Sequence, residues 1–409
     1  MELGQGIVTK NLYWELDTMG RNKGIDKMRI AIYGAGDYGK YIYNEIMNNG
    51  NTKLSVVCWI DNFYNEDVLE NLHVYSEEDF FDLYVSDRVD AVIVAIQNQK
   101  IAEDIIVSML LRGYRLIYCA LPEGYLSQIS VLNEDGELGA GIRPYKMIKP
   151  TMSSPSIVNF LVTDYCNLKC KRCGNFSNLA TECNYLDISK FEEDLVQLRK
   201  RFKAVSRIEL MGGEPLLNSK LELYVVLTRK YFPETRIVIV TNGLLIMKMK
   251  KSLIDTIVSN QVYLRISQYP PTRKQIGVIV DFLKEKGIHY ELTEPITQFE
   301  KMLTFKEQYG DKAFAERFEE DCQCHTIEDG KMGCPLLVKF YDNRKYFGIQ
   351  IEEEEMRKSS IDLMDDDIDG WDILVFFRQP SVLCRFCNPK HENESWETGL
   401  PQIEDWFSD

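Results

Sequence analysis

The sequence has 409 residues, 48 basic and 63 acidic, for a formal net charge of −15, and it holds 11 cysteines against 4 histidines. At 45% apolar and 27% charged residues it reads as a globular chain, not a disordered or fibrous one. At roughly 100–200 residues per domain it should form two to four domains. The acidic balance excludes broad non-specific binding to nucleic acid or to anionic lipid, both of which want basic stripes. The sequence has no run of about 18 apolar residues, so no helix is expected to span a membrane. Met1–Gln5 is polar and lacks an apolar signal core, so a cytoplasmic location is expected, where thiols stay reduced. Eleven reduced cysteines then point to metal binding or catalysis.

In chain order, 28–34 reads as a buried strand that ends in a Gly-rich turn, followed by a helical pattern to about Met47. Strands are expected at 54–60, 91–96 and 115–121, with a helix over 100–111. Strands that alternate with helices imply a parallel sheet, placed in a domain at 1–125. Gly34-Ala35-Gly36-Asp37-Tyr38-Gly39 fits G-x-G-x-x-G between strand and helix, and Asp61 ends the second strand. That is the context of a Rossmann-type nucleotide site built from Gly34, Gly36, Gly39 and Asp61. The domain also resembles small domains attached to sugar-modifying and polysaccharide enzymes, which implies a nucleotide or nucleotide-sugar as ligand. The alternative is a domain that binds nothing or serves in docking, and Asp37 beside the expected phosphates is unfavourable for an anion.

Residues 126–152, with three glycines and two prolines, read as a linker. A second alternation then begins. Strands are expected at 157–163, 207–211, 236–241, 261–267 and 289–293, with helices near 189–203, 219–231, 250–259 and 271–286. Five or six βα units in series imply a barrel or part-barrel with its site at the C-terminal strand ends. From about 311 the pattern is irregular. Segment 352–369 carries nine acids and a net charge of −7, which reads as a solvated face.

The first of these strands runs into Cys166-Asn167-Leu168-Lys169-Cys170-Lys171-Arg172-Cys173, a C-x3-C-x2-C spacing. Three thiols within eight residues on one loop can face one point, and soft thiolates suit zinc or an iron–sulfur cluster. Zinc wants a fourth ligand, and the nearest thiol, Cys183, has no matching spacing. Three ligands on a four-iron cluster leave one iron open. About 40 residues on, Met211-Gly212-Gly213-Glu214-Pro215 follows a strand; Val240-Thr241-Asn242-Gly243 and Arg265-Ile266-Ser267 end the next two.

These motifs together resemble the radical S-adenosylmethionine (SAM) superfamily, most strongly over 155–300. The resemblance implies a partial (βα)6 barrel over 153–310. It implies a [4Fe–4S] cluster on Cys166, Cys170 and Cys173, and SAM contacts from Gly212, Gly213, Glu214, Pro215, Thr241, Asn242, Arg265 and Ser267. It further implies reductive cleavage of SAM to a 5′-deoxyadenosyl radical that abstracts hydrogen from a substrate. One departure stands out: the family's aromatic residue before the third cysteine is Arg172 here, which puts the adenine environment in question.

The C-terminal region holds Cys322, Cys324, Cys334, Cys384 and Cys387. Asp329-Gly330 is a strong hairpin signal and would bring Cys324 and Cys334 together; Cys384-x2-Cys387 supplies another pair. Four such thiolates suit zinc or a second [4Fe–4S] cluster. The arrangement resembles the one-cluster auxiliary domain (twitch type, a short relative of SPASM) of radical SAM enzymes, expected over 311–409. Its implied ligands are Cys324, Cys334, Cys384 and Cys387, with Cys322 as the alternative to Cys324. Cys58, Cys119 and Cys183 read as bystanders.

The α/β fold class expected is thus a Rossmann-like domain, a radical SAM part-barrel and a small irregular auxiliary-cluster domain. The 155–335 stretch also looks like radical SAM proteins tied to bacterial surface-polysaccharide synthesis. The leading expectation is an enzyme acting on a carbohydrate or nucleotide-sugar by oxidation, epimerisation or dehydration. The alternatives are a radical SAM peptide maturase and a non-catalytic nucleotide-binding protein with zinc-stapled loops. A flavodoxin or ferredoxin is implied as electron donor. Lys169, Lys171 and Arg172 either steer it or are plain solvated charges.

Overall fold

The computed structural model describes residues 28–48, 54–83, 85–114, 116–120, 142–144, 157–202, 204–305, 322, 324–388, 390 and 392–408. The chain divides into two compact units, Met1–Pro150 and Thr151–Asp409.

The first unit is a seven-stranded sheet in the order β3-β4-β2-β1-β5-β6-β7. Its strands are β1 (Met28–Tyr33), β2 (Leu54–Ile60), β3 (Val68–Leu69), β4 (Leu72–Tyr75), β5 (Ala91–Val94), β6 (Ile117–Ala120) and β7 (Ile142–Pro144). The five central strands are parallel. Ile30, Ile32, Ala91, Ile93 and their neighbours are fully buried, as expected where helices cover both faces of a parallel sheet. Strand order reverses beside β1, so the carboxyl ends of β1 and β5 open a crevice of the kind that holds ligands in open α/β sheets.

One expectation is corrected here. Ile142–Pro144, assigned to the linker, is a strand that pairs antiparallel with β6 through Tyr118↔Pro144 and Ala120↔Ile142. An unpaired parallel edge exposes a row of backbone groups, and a short strand ending in Pro, which donates nothing further, closes it. The first unit therefore extends beyond 125. The rest of 126–152 lies outside the described residues.

The glycine loop folds as the spacing predicts. A Cβ on Gly39, in the first turn of α1 (Asp37–Asn48), would stand 1.8 Å from the Gly34 carbonyl oxygen. Only glycine lets this helix pack so close to the strand end.

In the second unit the strands are β8 (Ile157–Thr163), β9 (Arg207–Gly212), β10 (Arg236–Thr241), β11 (Tyr263–Gln268), β12 (His289–Pro295), β13 (Gln298–Glu300), β14 (Leu303–Thr304), β15 (Cys324–Glu328), β16 (Lys331–Gly333), β17 (Ser360–Asp362), β18 (Asn393–Ser395) and β19 (Phe407–Ser408). The main sheet runs β12-β11-β10-β9-β8-β15-β16-β17. β8 to β12 are parallel and sequential. The crossovers are α2 (Ile188–Arg201), α3 (Leu221–Tyr231), α4 (Lys251–Ser259) and α5 (Ile276–Lys286). One face of the strands (Val158, Phe160, Leu210, Ile239, Leu264) packs on Phe191, Leu195, Tyr224, Ile257 and Leu283 of these helices. Gly287 ends α5 at φ 67°, the left-handed cap its position predicts.

The C-terminal region differs from expectation. It is not a separate irregular domain. β15 pairs in parallel with β8 through Cys324↔Ile157 and Thr326↔Asn159, so the hairpin β15–β16 and then β17 extend the barrel sheet itself. The open edge of β8 explains this, since it needs a partner. Asp329 (φ 50°) and Gly330 (φ 76°) both take positive φ, as a two-residue hairpin turn requires. The Gly330 amide donates to the buried Asp194 carboxylate of α2 at 2.7 Å, which fixes the turn against the barrel. A second apolar cluster, with Phe176, Leu303, Phe340, Phe347, Leu383 and Trp406 at its centre, lies apart from the first. Most acids of 352–369 are exposed, as a solvated face should be, although Ser360 and Ile361 within it are buried in β17.

Replacing Gly39 with Ala should destabilise the first unit by about 1–3 kcal/mol, the range for overpacking a tight site. Hydrogen exchange would show it as lost protection in β1 and α1, with β8–β12 unchanged.

Candidate functional site

The site is built where β8, β9, β10 and β11 end. Beyond Thr163 the chain turns through the three cysteines. Lys169 (φ 53°) and Phe176 (φ 52°) adopt the left-handed region and curl the loop back on itself. Cys166, Cys170 and Cys173 line one cleft together with Gly212, Gly213, Thr241, Asn242, Ser267 and Tyr269. The expected residues thus converge from positions up to about 100 apart in sequence.

The glycines serve the chain's own packing. A Cβ on Gly212 (φ +124°) would stand 2.1 Å from the Thr163 oxygen, and one on Gly213 would stand 2.1 Å from the Tyr165 oxygen. The Gly213 and Glu214 amides donate to those same carbonyls at 2.8 and 2.9 Å. The close approach that glycine permits is therefore between two loops, which seats the turn after β9 under the cysteine loop.

Glu214 is held by the chain's own donors. Its carboxylate is fully buried and accepts from Thr241 Oγ1 at 2.7 Å, the Asn242 amide at 2.8 Å and the Leu216 amide at 3.0 Å. Burial pushes its pKa up while these donors pull it down. The side chain does not line the cleft, so it acts as a strut between the turns after β9 and β10. Pro215, also buried, starts the short turn at Pro215–Leu217. Arg265 stays out of the cleft as well. It faces Glu209 at 3.5 Å, within a set that also pairs Arg207 with Glu209 and Glu291. Ser267, two residues further along β11, does reach the cleft.

Two side chains donate to the cysteine sulfurs. Asn242 Nδ2 lies 3.7 Å from Cys166 Sγ and bonds Asn167 Oδ1 at 2.8 Å. Trp396 Nε1 lies 3.2 Å from Cys170 Sγ. Nothing local in the sequence marks Trp396, which arrives from 226 residues away. Its segment lies along the loop as an antiparallel strap. Cys170 bridges Thr398, the Lys171 amide donates to the Glu397 oxygen at 2.9 Å, and the Gly399 amide to the Lys169 oxygen at 3.1 Å.

Arg172 explains its own departure from the family pattern. It is buried, pairs with Glu394, faces Asp405 at 3.7 Å and donates to the Ser395 oxygen at 3.3 Å. It anchors the strap. The aromatic rings at this end are Tyr269 and Trp396, with centroids 5.9 Å apart. The other two loop cations are also in contact with the chain. Lys169 donates to the Ala180 oxygen at 2.9 Å and Lys171 pairs with Glu397 at 3.1 Å, so all three loop cations are engaged internally.

Burial pushes the Cys166 thiol to about 11 and the Cys170 thiol to about 12. Left to themselves these thiols stay protonated at neutral pH, and a cationic metal centre would draw the protons off. Among the described residues no three His, Cys, Asp or Glu side chains close on a single ion. A cluster of four irons is wider than one ion and spreads its ligands further apart. Ser177 Oγ and Asn178 Oδ1, at the same cleft, are buried polar atoms without a partner. The donor set and these orphaned atoms fit an iron–sulfur cluster and a polar ligand better than zinc.

Of the second cysteine set, Cys384 belongs to the C-terminal apolar cluster, and Cys334 and Cys387 pack against it. Cys334 is the residue before the first turn of α6 (Pro335–Asp342). Ser381 donates to Cys384 Sγ through its amide at 3.3 Å. Cys322 is not among that cluster's residues, and the Cys324 side chain lies outside the described residues.

In the first unit, Asp61 sits at the end of β2 beside the glycine loop. Its carboxylate accepts from the Ala35 and Phe63 amides, each at 2.8 Å, and so orders the glycine loop. Gly34 (φ +108°) packs against the Ala95 oxygen, whereas a Cβ on Gly36 would meet nothing within 4 Å.

Residues 160–290 match the family model described as the radical SAM superfamily. That stretch is a radical SAM domain. The family implies a [4Fe–4S] cluster and SAM, and the loop of Cys166, Cys170 and Cys173 lies within the match. The chain is 30% identical over 142 residues to a GTP 3',8-cyclase of Helicobacter pylori (strain ATCC 700392 / 26695), covering 30% of this chain and 41% of that protein. A GTP 3',8-cyclase of Helicobacter pylori (strain J99 / ATCC 700824) is 28% identical over 257 residues, covering 56% of this chain and 74% of that protein. The chain thus spans less than half the length of the first of these relatives. Among solved structures, BtrN in complex with AdoMet and 2-DOIA aligns with a TM-score of 0.36 at 19% identity, over 57% of this chain and 92% of that one. That likeness is too distant to bear on this chain's chemistry.

Trp396→Phe keeps an aromatic side chain there and removes the N–H donor to Cys170 together with the pyrrole part of the indole. Hydrogen bonds to cluster sulfurs raise a reduction potential by stabilising the more negative, reduced state. The variant's cluster should therefore titrate at a lower potential at unchanged iron content, as spectroelectrochemistry would read.

Proposed function

We propose that this chain is a radical SAM enzyme that cleaves SAM reductively and takes hydrogen from a carbohydrate or nucleotide-sugar, in surface-polysaccharide synthesis. One observation carries the reading: three cysteines line a single cleft with the Gly212-Gly213 turn and Asn242 at the C-terminal ends of parallel strands. When bound, the cluster and SAM supply one-electron cleavage of the sulfur–C5′ bond, yielding methionine and a 5′-deoxyadenosyl radical.

The protein's part is to hold, orient and exclude water. Cys166, Cys170 and Cys173 would hold the cluster. Asn242 and Trp396 donate to its sulfur ligands, and Glu214 fixes the two turns that face SAM. The strap 393–399 covers the loop on one side and limits solvent there.

Cys334, Cys384 and Cys387 share one apolar cluster, which supports a second, auxiliary cluster with Cys324, or Cys322 in its place, as fourth ligand. Such a cluster can accept the substrate's electron, which favours oxidation. The sugar-type substrate rests on reading the first unit as Rossmann-like, which its strand order and glycine loop support. The curated relatives are named for a nucleotide substrate, which agrees with a nucleotide-bearing one here. A flavodoxin or ferredoxin would supply the electron.

Protein reconstituted without air should hold about eight irons per chain, from two four-iron clusters, and release 5′-deoxyadenosine from SAM when dithionite is added. Absence of 5′-deoxyadenosine from iron-loaded protein would refute the reading. Cys384→Ser/Cys387→Ser should lose about four irons and keep SAM cleavage.

A further inference from the structure

The electron that starts this chemistry must cross the protein surface somewhere, and at the cysteine loop the strap covers one side. The three cations of the cysteine loop are paired inside the chain, and the strap lies along that loop. With a formal charge of −15, most of the surface would repel an acidic partner.

A second concave surface lies behind the turns after β9 and β10. It is floored by Leu216, Leu217, Leu245 and Met249 and edged by Lys248 and Lys250. Lys220 and Lys251 continue the cationic edge, and all four lysines are exposed. None of the four has an ion-pair partner among the described residues. Glu222 is the groove's one acidic lining residue, and it is bonded to Ser252 at 2.7 Å. An apolar floor with a cationic rim on an otherwise acidic protein matches a small, transient electrostatic interface.

The groove is also wired to the cysteine site by short contacts. The Leu216 amide bonds Glu214 at 3.0 Å, Glu214 bonds the Asn242 amide at 2.8 Å, and Asn242 Nδ2 stands 3.7 Å from Cys166 Sγ. One buried carboxylate separates the groove's floor from the residue that touches the thiol.

We propose that this groove docks an acidic one-electron carrier protein whose reduced cofactor lies at its own surface. The inference rests on the reading above, that the cysteines hold a reducible cluster. One electron leaves the carrier and enters the cluster, and no atom or proton is exchanged. The lysines raise the encounter rate, and the apolar floor holds the pair briefly.

The test uses the full iron-loaded chain and the triple variant Lys248→Glu/Lys250→Glu/Lys251→Glu. Reduction by flavodoxin hydroquinone is followed by stopped flow at low and high salt, and SAM cleavage with dithionite is measured in parallel. At low salt the variant should react with flavodoxin at least about tenfold more slowly, since steering acts on association. Its rate should rise with salt as the repulsion is screened, whereas that of the parent falls. Dithionite-driven cleavage should be unchanged, which also shows that the variant folds. The neutral triple variant with Gln should fall between. Equal flavodoxin rates in parent and variant, or equal slowing with both reductants, would overturn the docking site. Failure of the parent to cleave SAM with dithionite would instead overturn the enzyme reading beneath it.

Discussion

The buried carboxylate of Glu214 is the constraint on which the site depends. Placing a charge where water cannot reach costs far more than exposing it, unless donors meet it. Here three donors do, two from the turn after β10 and one from its own turn. Its need for partners locks the Gly-Gly-Glu-Pro turn to the Thr-Asn-Gly turn. Asn242, held through its amide, then presents its side chain to Cys166. Loss of the carboxylate would leave three buried donors unmet and free both turns, at a distance from any ligand.

A second dependency runs from the far end of the chain. The cysteine loop is short and carries a non-glycine residue, Lys169, in the left-handed region. It is held from below by Phe176 stacked on Trp406, with centroids 5.4 Å apart, and by the Trp406 indole bonding the Cys173 oxygen at 2.9 Å. It is held from the side by the strap and its Arg172 anchor. The residues after 311 are thus part of the first cysteine site as well as the home of the second set. Their hairpin also pairs with the edge of β8 and extends the main sheet.

Much of this was legible in the sequence because it depends on local pattern. Apolar runs of strand length, periodic helices and glycine stops mark β8 to β12 and their crossovers. The C-x3-C-x2-C spacing and the turn motifs mark the cleft. What escaped depends on pairing across long separations. Trp396, Arg172 with Glu394, and β15 on β8 carry no short-range signal, because an indole or an edge strand looks the same whatever it meets. Glu214 and Asp61 were legible as special residues, but their backbone partners were not. A motif names the residue type, and only the fold shows that each carboxylate faces its own backbone. The strand at 142–144 was hidden among glycines and prolines that read as linker.

The central claim is that Cys166, Cys170 and Cys173 leave a metal position open to SAM at this cleft. The most direct measurement is the electron paramagnetic resonance spectrum of the dithionite-reduced Cys384→Ser/Cys387→Ser protein, which isolates the first cluster, recorded with and without SAM. The account predicts that SAM changes the signal, and that no such signal forms once Cys166, Cys170 and Cys173 are all replaced by Ala. A signal indifferent to SAM, or one that survives the loss of those three thiols, would contradict it.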